Sequence, residues 1–199
     1  MILFNCMIAG VGGQGTVLAS KLIAATAMKC SYDVRTTETI GMAQRGGSVV
    51  SHVRVGEKIF SPLIPYAAAH ALIAFEPAEA VRQLSYLCEQ GTLIVCDSAI
   101  KPVADPRASD TYEASVMVDH LQAKVSKLVV INGRRLAEQY AKTLNVVLLG
   151  AAAQSGIFPF DIETIKEIIP EVLPERFWEL NFKSFELGKE MYNEYIGQH

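Results

Sequence analysis

The sequence predicts a three-layer α/β domain with a mainly parallel sheet and a helical C-terminal tail. Three observations carry that expectation. Runs rich in Val, Ile and Thr alternate with Ala- and Leu-rich stretches through most of residues 1–160, the pattern of parallel strands joined by helices. The first run opens directly into Gly10-Val11-Gly12-Gly13-Gln14-Gly15 and then a helical stretch. Past Pro159 the composition changes: residues 161–199 carry nine acidic and four basic side chains, net −5, against +2 for residues 1–160.

Each element follows from local signals. Ile2–Ala9 reads as strand one, the glycine loop follows, and Thr16–Lys29 (TVLASKLIAATAMK) is long, Ala-rich and free of breakers, hence a helix. Tyr32–Thr37 reads as strand two, and Glu38–Gly47, with three glycines, as a loop. Ser48–Val55 sets Val49, Ser51, Val53 and Val55 against Ser48, Val50, His52 and Arg54, which predicts a strand with one wetter face. Ala71–Phe75 is a buried strand, and Pro77 suits the first turn of a helix running to about Cys88. Thr92–Asp97 and Leu128–Ile131 are further strands, separated by a loop over Lys101–Tyr112, and Asn132 is a candidate N-cap for a helix over Gly133–Thr143. The sheet then has five or six strands. Residues 1–160 form the α/β domain; residues 161–199 are a helical extension expected to pack on it and on a partner. Within that extension Glu175–Ile196 spreads apolar residues over roughly 220° of a helix, wider than the ~100° stripe that docking on one core requires.

Composition excludes several function classes. The chain has 199 residues, half of them apolar and 20% charged, with mean hydropathy +0.23, enough for a sizeable core but too few residues for a large multi-domain enzyme. Eighteen basic and 21 acidic side chains leave a charge of −3, with no basic excess for nucleic acid. Cysteines 6, 30, 88 and 96 contain no C-x-x-C pair, so no iron–sulfur centre or zinc site is expected, and reduced thiols in a cytoplasmic protein are. The uncharged stretches Met1–Ser20, Ile59–Phe75 and Thr143–Phe160 are interrupted by Gly, Pro or polar residues and read as buried, not membrane-spanning. His70, His120 and His199 stand apart from any ligand cluster, so no metal is assigned, and no Ser–His–acid set supports a hydrolase.

The glycine loop is the principal candidate site. Glycines after a strand let backbone approach a ligand, while the following helix offers free N–H groups to a phosphate or carboxylate. Asp33 or Glu38 stands near the place of a ribose-binding acid, so a dinucleotide-binding oxidoreductase is one reading; glycines serving only strand–helix packing are another. Gln14 offers an amide to a ligand or fills space. Arg45, between Gln44 and Gly46-Gly47, suits a carboxylate or phosphate, or a salt bridge at a subunit interface, with Glu38 as a partner inside the same loop. His52 and Arg54 read as a solvated pair, and Asp97-Ser98 as a cap at a strand end.

GVGGQGTVLASKLIA followed by ETIGMAQRGGSVVSHVRVG closely resembles the beta subunits of indolepyruvate:ferredoxin oxidoreductases, relatives of the gamma subunit or domain of pyruvate and other 2-oxoacid:ferredoxin oxidoreductases. The likeness runs on through Asn145–Gly150 (NVVLLG), and the second motif is the more specific. Val11 stands where the usual gamma loop has Arg, which favours the indolepyruvate branch. The resemblance implies a Rossmann-like domain in a complex that oxidatively decarboxylates an aryl 2-oxoacid to an acyl-coenzyme A and passes electrons to ferredoxin. The chain has no Gly-Asp-Gly element to begin a thiamine motif. Thiamine diphosphate, Mg2+ and 4Fe-4S clusters are therefore expected on a larger alpha subunit, with none bound by this chain alone and coenzyme A a co-substrate of the complex. By the same likeness Gly10, Gly12, Gly13, Gln14, Gly15, Glu38, Gln44, Arg45, Gly46 and Gly47 face the shared active-site region or the coenzyme A path, with no catalytic side chain assigned. Expected partners are the alpha subunit and, through the complex, ferredoxin, with self-association open. A gamma subunit for another 2-oxoacid and a stand-alone dinucleotide-binding or regulatory module are the alternatives.

Overall fold

A computed structural model describes residues 3–41, 47–100, 112–136, 140 and 142–198. Strands β1 (Leu3–Val11), β2 (Asp33–Ile40), β3 (Ser48–Gly56), β4 (Ala69–Ala74), β5 (Leu87–Cys96) and β6 (Lys127–Ile131) form one sheet in the order β2-β3-β1-β4-β5-β6. β1, β4, β5 and β6 are mutually parallel, whereas β3 runs antiparallel to both neighbours. The helices are α1 (Thr16–Lys29), α2 (Pro77–Gln83), α3 (Ala114–Lys124), α4 (Leu144–Gln154), α5 (Ile162–Val172) and α6 (Trp178–Gln198).

The central strand explains its own sequence. β1 has neighbours on both edges and helices over both faces, so every residue from Phe4 to Val11 is buried. Its side chains alternate: Phe4, Cys6 and Ile8 enter a core completed by α1, α4, α5 and α6, while Met7 and Ala9 enter a second core with Ala80 of α2 and Leu121 of α3. The uncharged opening of the chain is thus an interior strand. The Thr143–Phe160 stretch likewise yields α4, buried from Leu144 to Ala153 between the sheet and α6. Among the described residues no helix is long and apolar enough to cross a membrane.

The elements depart from their local signals in several places. The 38–47 stretch is not all loop: Glu38, Thr39 and Ile40 continue β2 because β3 supplies ladder partners Ser51, Val50 and Val49. The expected helix to Cys88 stops at Gln83, a short 3-10 turn covers Leu84–Tyr86, and Leu87 already pairs with Ala69 on β4. Gly133–Arg135 is a single 3-10 turn in place of the start of a long helix, although Asn132 does cap it by accepting the Arg134 N–H at 3.1 Å. The wetter face of β3 is mostly dry. His52 is buried, its Nδ1 accepting the Ile64 N–H at 3.2 Å, and Arg54 donates to Asn5 and to the Ser61 and Leu63 carbonyls. The 57–68 connection folds over that face, which local alternation alone does not reveal.

Segment 161–199 shares the main core. Ile165, Ile168, Ile169, Phe185 and Met191 are buried there, and Phe182, Leu187, Tyr192 and Tyr195 pack against it. α6 meets α4 through small residues, Gly188 lying under the Val147 carbonyl and Gly150 under the Phe185 carbonyl, while Thr143 and Ser184 hydroxyls bond at 2.6 Å. Most of the wide apolar arc is therefore covered by the chain itself; Phe177 and Ile196 remain exposed.

Candidate functional site

The carboxyl ends of β1, β2, β4, β5 and β6 and the start of β3 lie on one edge of the sheet, and the antiparallel register places Ser48 beside Val11 there. Ligands of open α/β sheets gather at such an edge. The glycine loop occupies its centre. Gly13 and Gly15 have φ of 99° and 83°, a region open to glycine at little cost, and Gly15 stands at the N-cap of α1 with no side-chain cap. Gly12 and Gly13 are exposed. Among the described residues a Cβ on Gly12 would meet only the Gly47 carbonyl, at 3.8 Å, so crowding by them does not require glycine there.

Part of the loop's hydrogen-bonding capacity is spent internally. Gln14 Oε1 accepts the Val11 N–H at 2.8 Å and its Nε2 donates to the Phe75 carbonyl at 3.1 Å. Gln14 thus closes its own turn and ties it to the end of β4. The Gly12 N–H donates to the Gly47 carbonyl at 2.9 Å, and Asn145 of α4 donates to the Gly15 carbonyl at 3.3 Å. Glu38, exposed on β2, accepts the Ser20 hydroxyl of α1 at 3.2 Å. Gln44, Arg45 and Gly46 lie outside the described residues, as does any pairing of Arg45 with Glu38.

The dinucleotide reading fails on topology. β3 intervenes antiparallel between β1 and β2, where a nucleotide fold places the second strand parallel and adjacent to the first. Asp33 sits at the opposite end of β2 from the glycine loop, accepting the Ile59 N–H at 2.8 Å and pairing with Arg35 at 2.6 Å. Asp33 therefore does not serve as a ribose-binding acid beside the glycine loop.

A set of residues that the sequence reading passed over completes this edge. Glu76 and Glu79, 0% and 1% exposed, stand at the start of α2 directly after β4. Glu76 accepts the Glu79 N–H at 3.0 Å, as an N-cap, and the Tyr112 hydroxyl at 2.5 Å; burial and this bond push the Tyr112 hydroxyl well above its ordinary range. Glu79 accepts the Ser48 hydroxyl at 2.6 Å and pairs with Arg82. Farther along, Asp97 accepts the Gly133 N–H at 2.7 Å and borders a cavity of about 450 Å³ that Ser98, Tyr112, Ser115 and Arg134 also line. The signal for the two glutamates, E-P-x-E after an apolar run, reads as ordinary capping; what distinguishes them is burial by Ser48 and Tyr112, both more than thirty positions away.

Among the described residues no group of three His, Cys, Asp or Glu is arranged to hold a metal ion, and burial raises the Cys6 and Cys96 thiols, which disfavours the thiolate a cluster needs. The edge can offer N–H groups and a close backbone approach to a ligand or a partner chain.

Residues 5–191 match the pyruvate ferredoxin/flavodoxin oxidoreductase family. The chain belongs to that family. It is 35% identical to the indolepyruvate oxidoreductase subunit IorB of Thermococcus kodakarensis over 98% of both chains, and 36% identical to the subunit of the same name from Archaeoglobus fulgidus, covering 96% of this chain and 95% of the relative. Among solved structures, the gamma subunit of a keto/oxoacid ferredoxin oxidoreductase from Geobacter sulfurreducens superposes with TM-score 0.70 at 20% identity, covering 98% of this chain and 99% of that one. The 2-oxoglutarate:ferredoxin oxidoreductase of Magnetococcus marinus, solved with 2-oxoglutarate, coenzyme A and succinyl-CoA, gives TM-score 0.70 at 17% identity over 98% of this chain and 32% of the larger one. The antiparallel β3 and the C-terminal helices are thus part of a fold shared with these oxidoreductases.

Proposed function

We propose that this member of the oxidoreductase family is the small subunit of an indolepyruvate:ferredoxin oxidoreductase. The observation that carries the reading is end-to-end similarity, 35% over 98% of both chains, to a protein named as a subunit of that enzyme. In this reading thiamine diphosphate, Mg2+ and the 4Fe-4S clusters reside on a larger alpha subunit. The complex decarboxylates an aryl 2-oxoacid, forms the acyl-coenzyme A and delivers electrons to ferredoxin in the cytoplasm. This chain presents the exposed Gly12 and Gly13 and the uncapped start of α1 to the shared active-site region or the coenzyme A path. Loop residues Gln44, Arg45, Gly46 and Gly47, with Glu38, belong to the same face in this reading. Phe177 and Ile196 are apolar residues of the C-terminal segment left for a partner.

The test is dye reduction with indolepyruvate, thiamine diphosphate and coenzyme A, by the chain alone and after co-expression with its larger subunit. The lone chain is expected to be colourless and inactive and the complex active. Turnover by the lone chain would overturn the assignment of the chemistry to the partner, and a complex preferring pyruvate or 2-oxoglutarate would move it to another branch of the family.

A further inference from the structure

We propose that Glu79 is a positioning residue, holding the glycine loop in place through Ser48; the inference rests on the reading of that loop as the functional edge. The path is short and continuous. Glu79 Oε2 accepts the Ser48 hydroxyl at 2.6 Å, Ser48 is bonded to Gly47, and the Gly47 carbonyl accepts the Gly12 N–H at 2.9 Å. The Ser48 carbonyl also accepts the Gly41 N–H at 2.8 Å, so one residue anchors both described ends of the 41–47 connection.

Packing and capping leave this carboxylate unexplained. Burying an ionised group costs several kcal/mol unless charge and hydrogen bonds satisfy it. Helix capping is already performed by Glu76, which takes the Glu79 N–H. Glu79 is nevertheless 1% exposed, with Arg82 on one oxygen and Ser48 on the other. A charge-assisted bond from a serine hydroxyl is roughly twice as strong as a neutral one, which suits a tether between α2 and an otherwise exposed loop. The second tether, Gln14 Nε2 to the Phe75 carbonyl, reaches the same turn from the other side. The 75–79 segment thus grips the glycine loop at residues 12 and 14.

The experiment has two readouts on the full chain. Amide exchange at Gly12 is followed in the wild type, Ser48→Ala, Ser48→Thr and Glu79→Gln, and kcat and KM are measured for each in complex with the larger subunit. The tether predicts that Ser48→Ala speeds Gly12 exchange about tenfold, the opening expected when one supporting hydrogen bond is lost. It further predicts a severalfold fall in kcat/KM of the complex alongside a Tm lower by roughly a few degrees, restoration of exchange and kcat/KM by Ser48→Thr, and an intermediate effect of Glu79→Gln. Unchanged exchange at Gly12 overturns the tether. Faster exchange with full activity overturns its role in the reaction, and a parallel Gly12→Val variant then tells which idea fails: an inactive Gly12→Val leaves the glycine loop functional without this tether, whereas an active one removes the loop reading itself.

Discussion

At the scale of single residues, two buried polar side chains make the sharpest statements. Ser51 Oγ, in the middle of β3, is the one buried side-chain polar atom among the described residues without a hydrogen-bond partner. An orphaned buried hydroxyl costs about 1–3 kcal/mol, so Ser51→Ala is expected to raise stability by roughly 1 kcal/mol in urea unfolding. His52, beside it in sequence, is held neutral by burial and by accepting the Ile64 N–H, and its pKa lies below the ordinary histidine value. The sign follows: protonation is harder in the folded than in the unfolded chain, so stability is full above about pH 6.5 and is lost as the pH falls from there toward the folded pKa. Urea midpoints measured across that window are expected to drop on acidification. His52→Gln should flatten part of that drop, with His70, also lowered by burial, supplying a remainder. Neither residue was legible in this role from local sequence. Alternation along Ser48–Val55 assigns faces correctly, but the dryness of the His52 face comes from Ile64 and Tyr86, which close over it from later in the chain.

At the scale of elements, the strands and helices with strong local signals are the ones the sequence reveals. Thr16–Lys29 is helical by composition and in space, because Gly15 before it and the break after it are local features. Glu38–Ile40 are strand because β3 offers them a ladder, and Leu87 joins β5 by pairing with Ala69 of β4, information that no window of a few residues contains. The crossing of α4 and α6 is another non-local feature. Gly150 and Gly188 look like helix-weakening residues, yet each faces a carbonyl of the opposite helix too closely to admit a Cβ. Gly188→Ala is therefore expected to destabilise by about 3 kcal/mol, at the upper end of ordinary overpacking, and not to gain the roughly 1 kcal/mol that the same change brings in an exposed helix. Thermal or urea unfolding distinguishes the two signs. α6 owes its hold on the domain to this close approach and to Phe185 and Met191, so the helix that suggested a subunit interface is first of all a lid on its own core.

For the whole molecule, the carboxyl edge of the sheet is the surface on which the proposed function rests. The glycine loop was visible in sequence by its position between β1 and α1; its intended ligand was not, since the same pattern serves a dinucleotide until the antiparallel β3 removes the ribose site. The buried Glu76 and Glu79 escaped notice because their partners Tyr112 and Ser48 arrive from distant segments. At its centre the edge presents two exposed glycines and an uncapped helix start, with no group of metal ligands among the described residues. In the proposed function such a surface contributes by fitting against a ligand or a partner's site. The most direct test is Gly12→Val, assayed for Tm alone and for kcat/KM with the larger subunit. Since among the described residues a Cβ at Gly12 comes no nearer than 3.8 Å to another atom, the lone protein should lose no more than about 1 kcal/mol, while the complex should lose tenfold or more in kcat/KM. Full activity of the Gly12→Val complex would contradict the assignment of this edge as the functional surface.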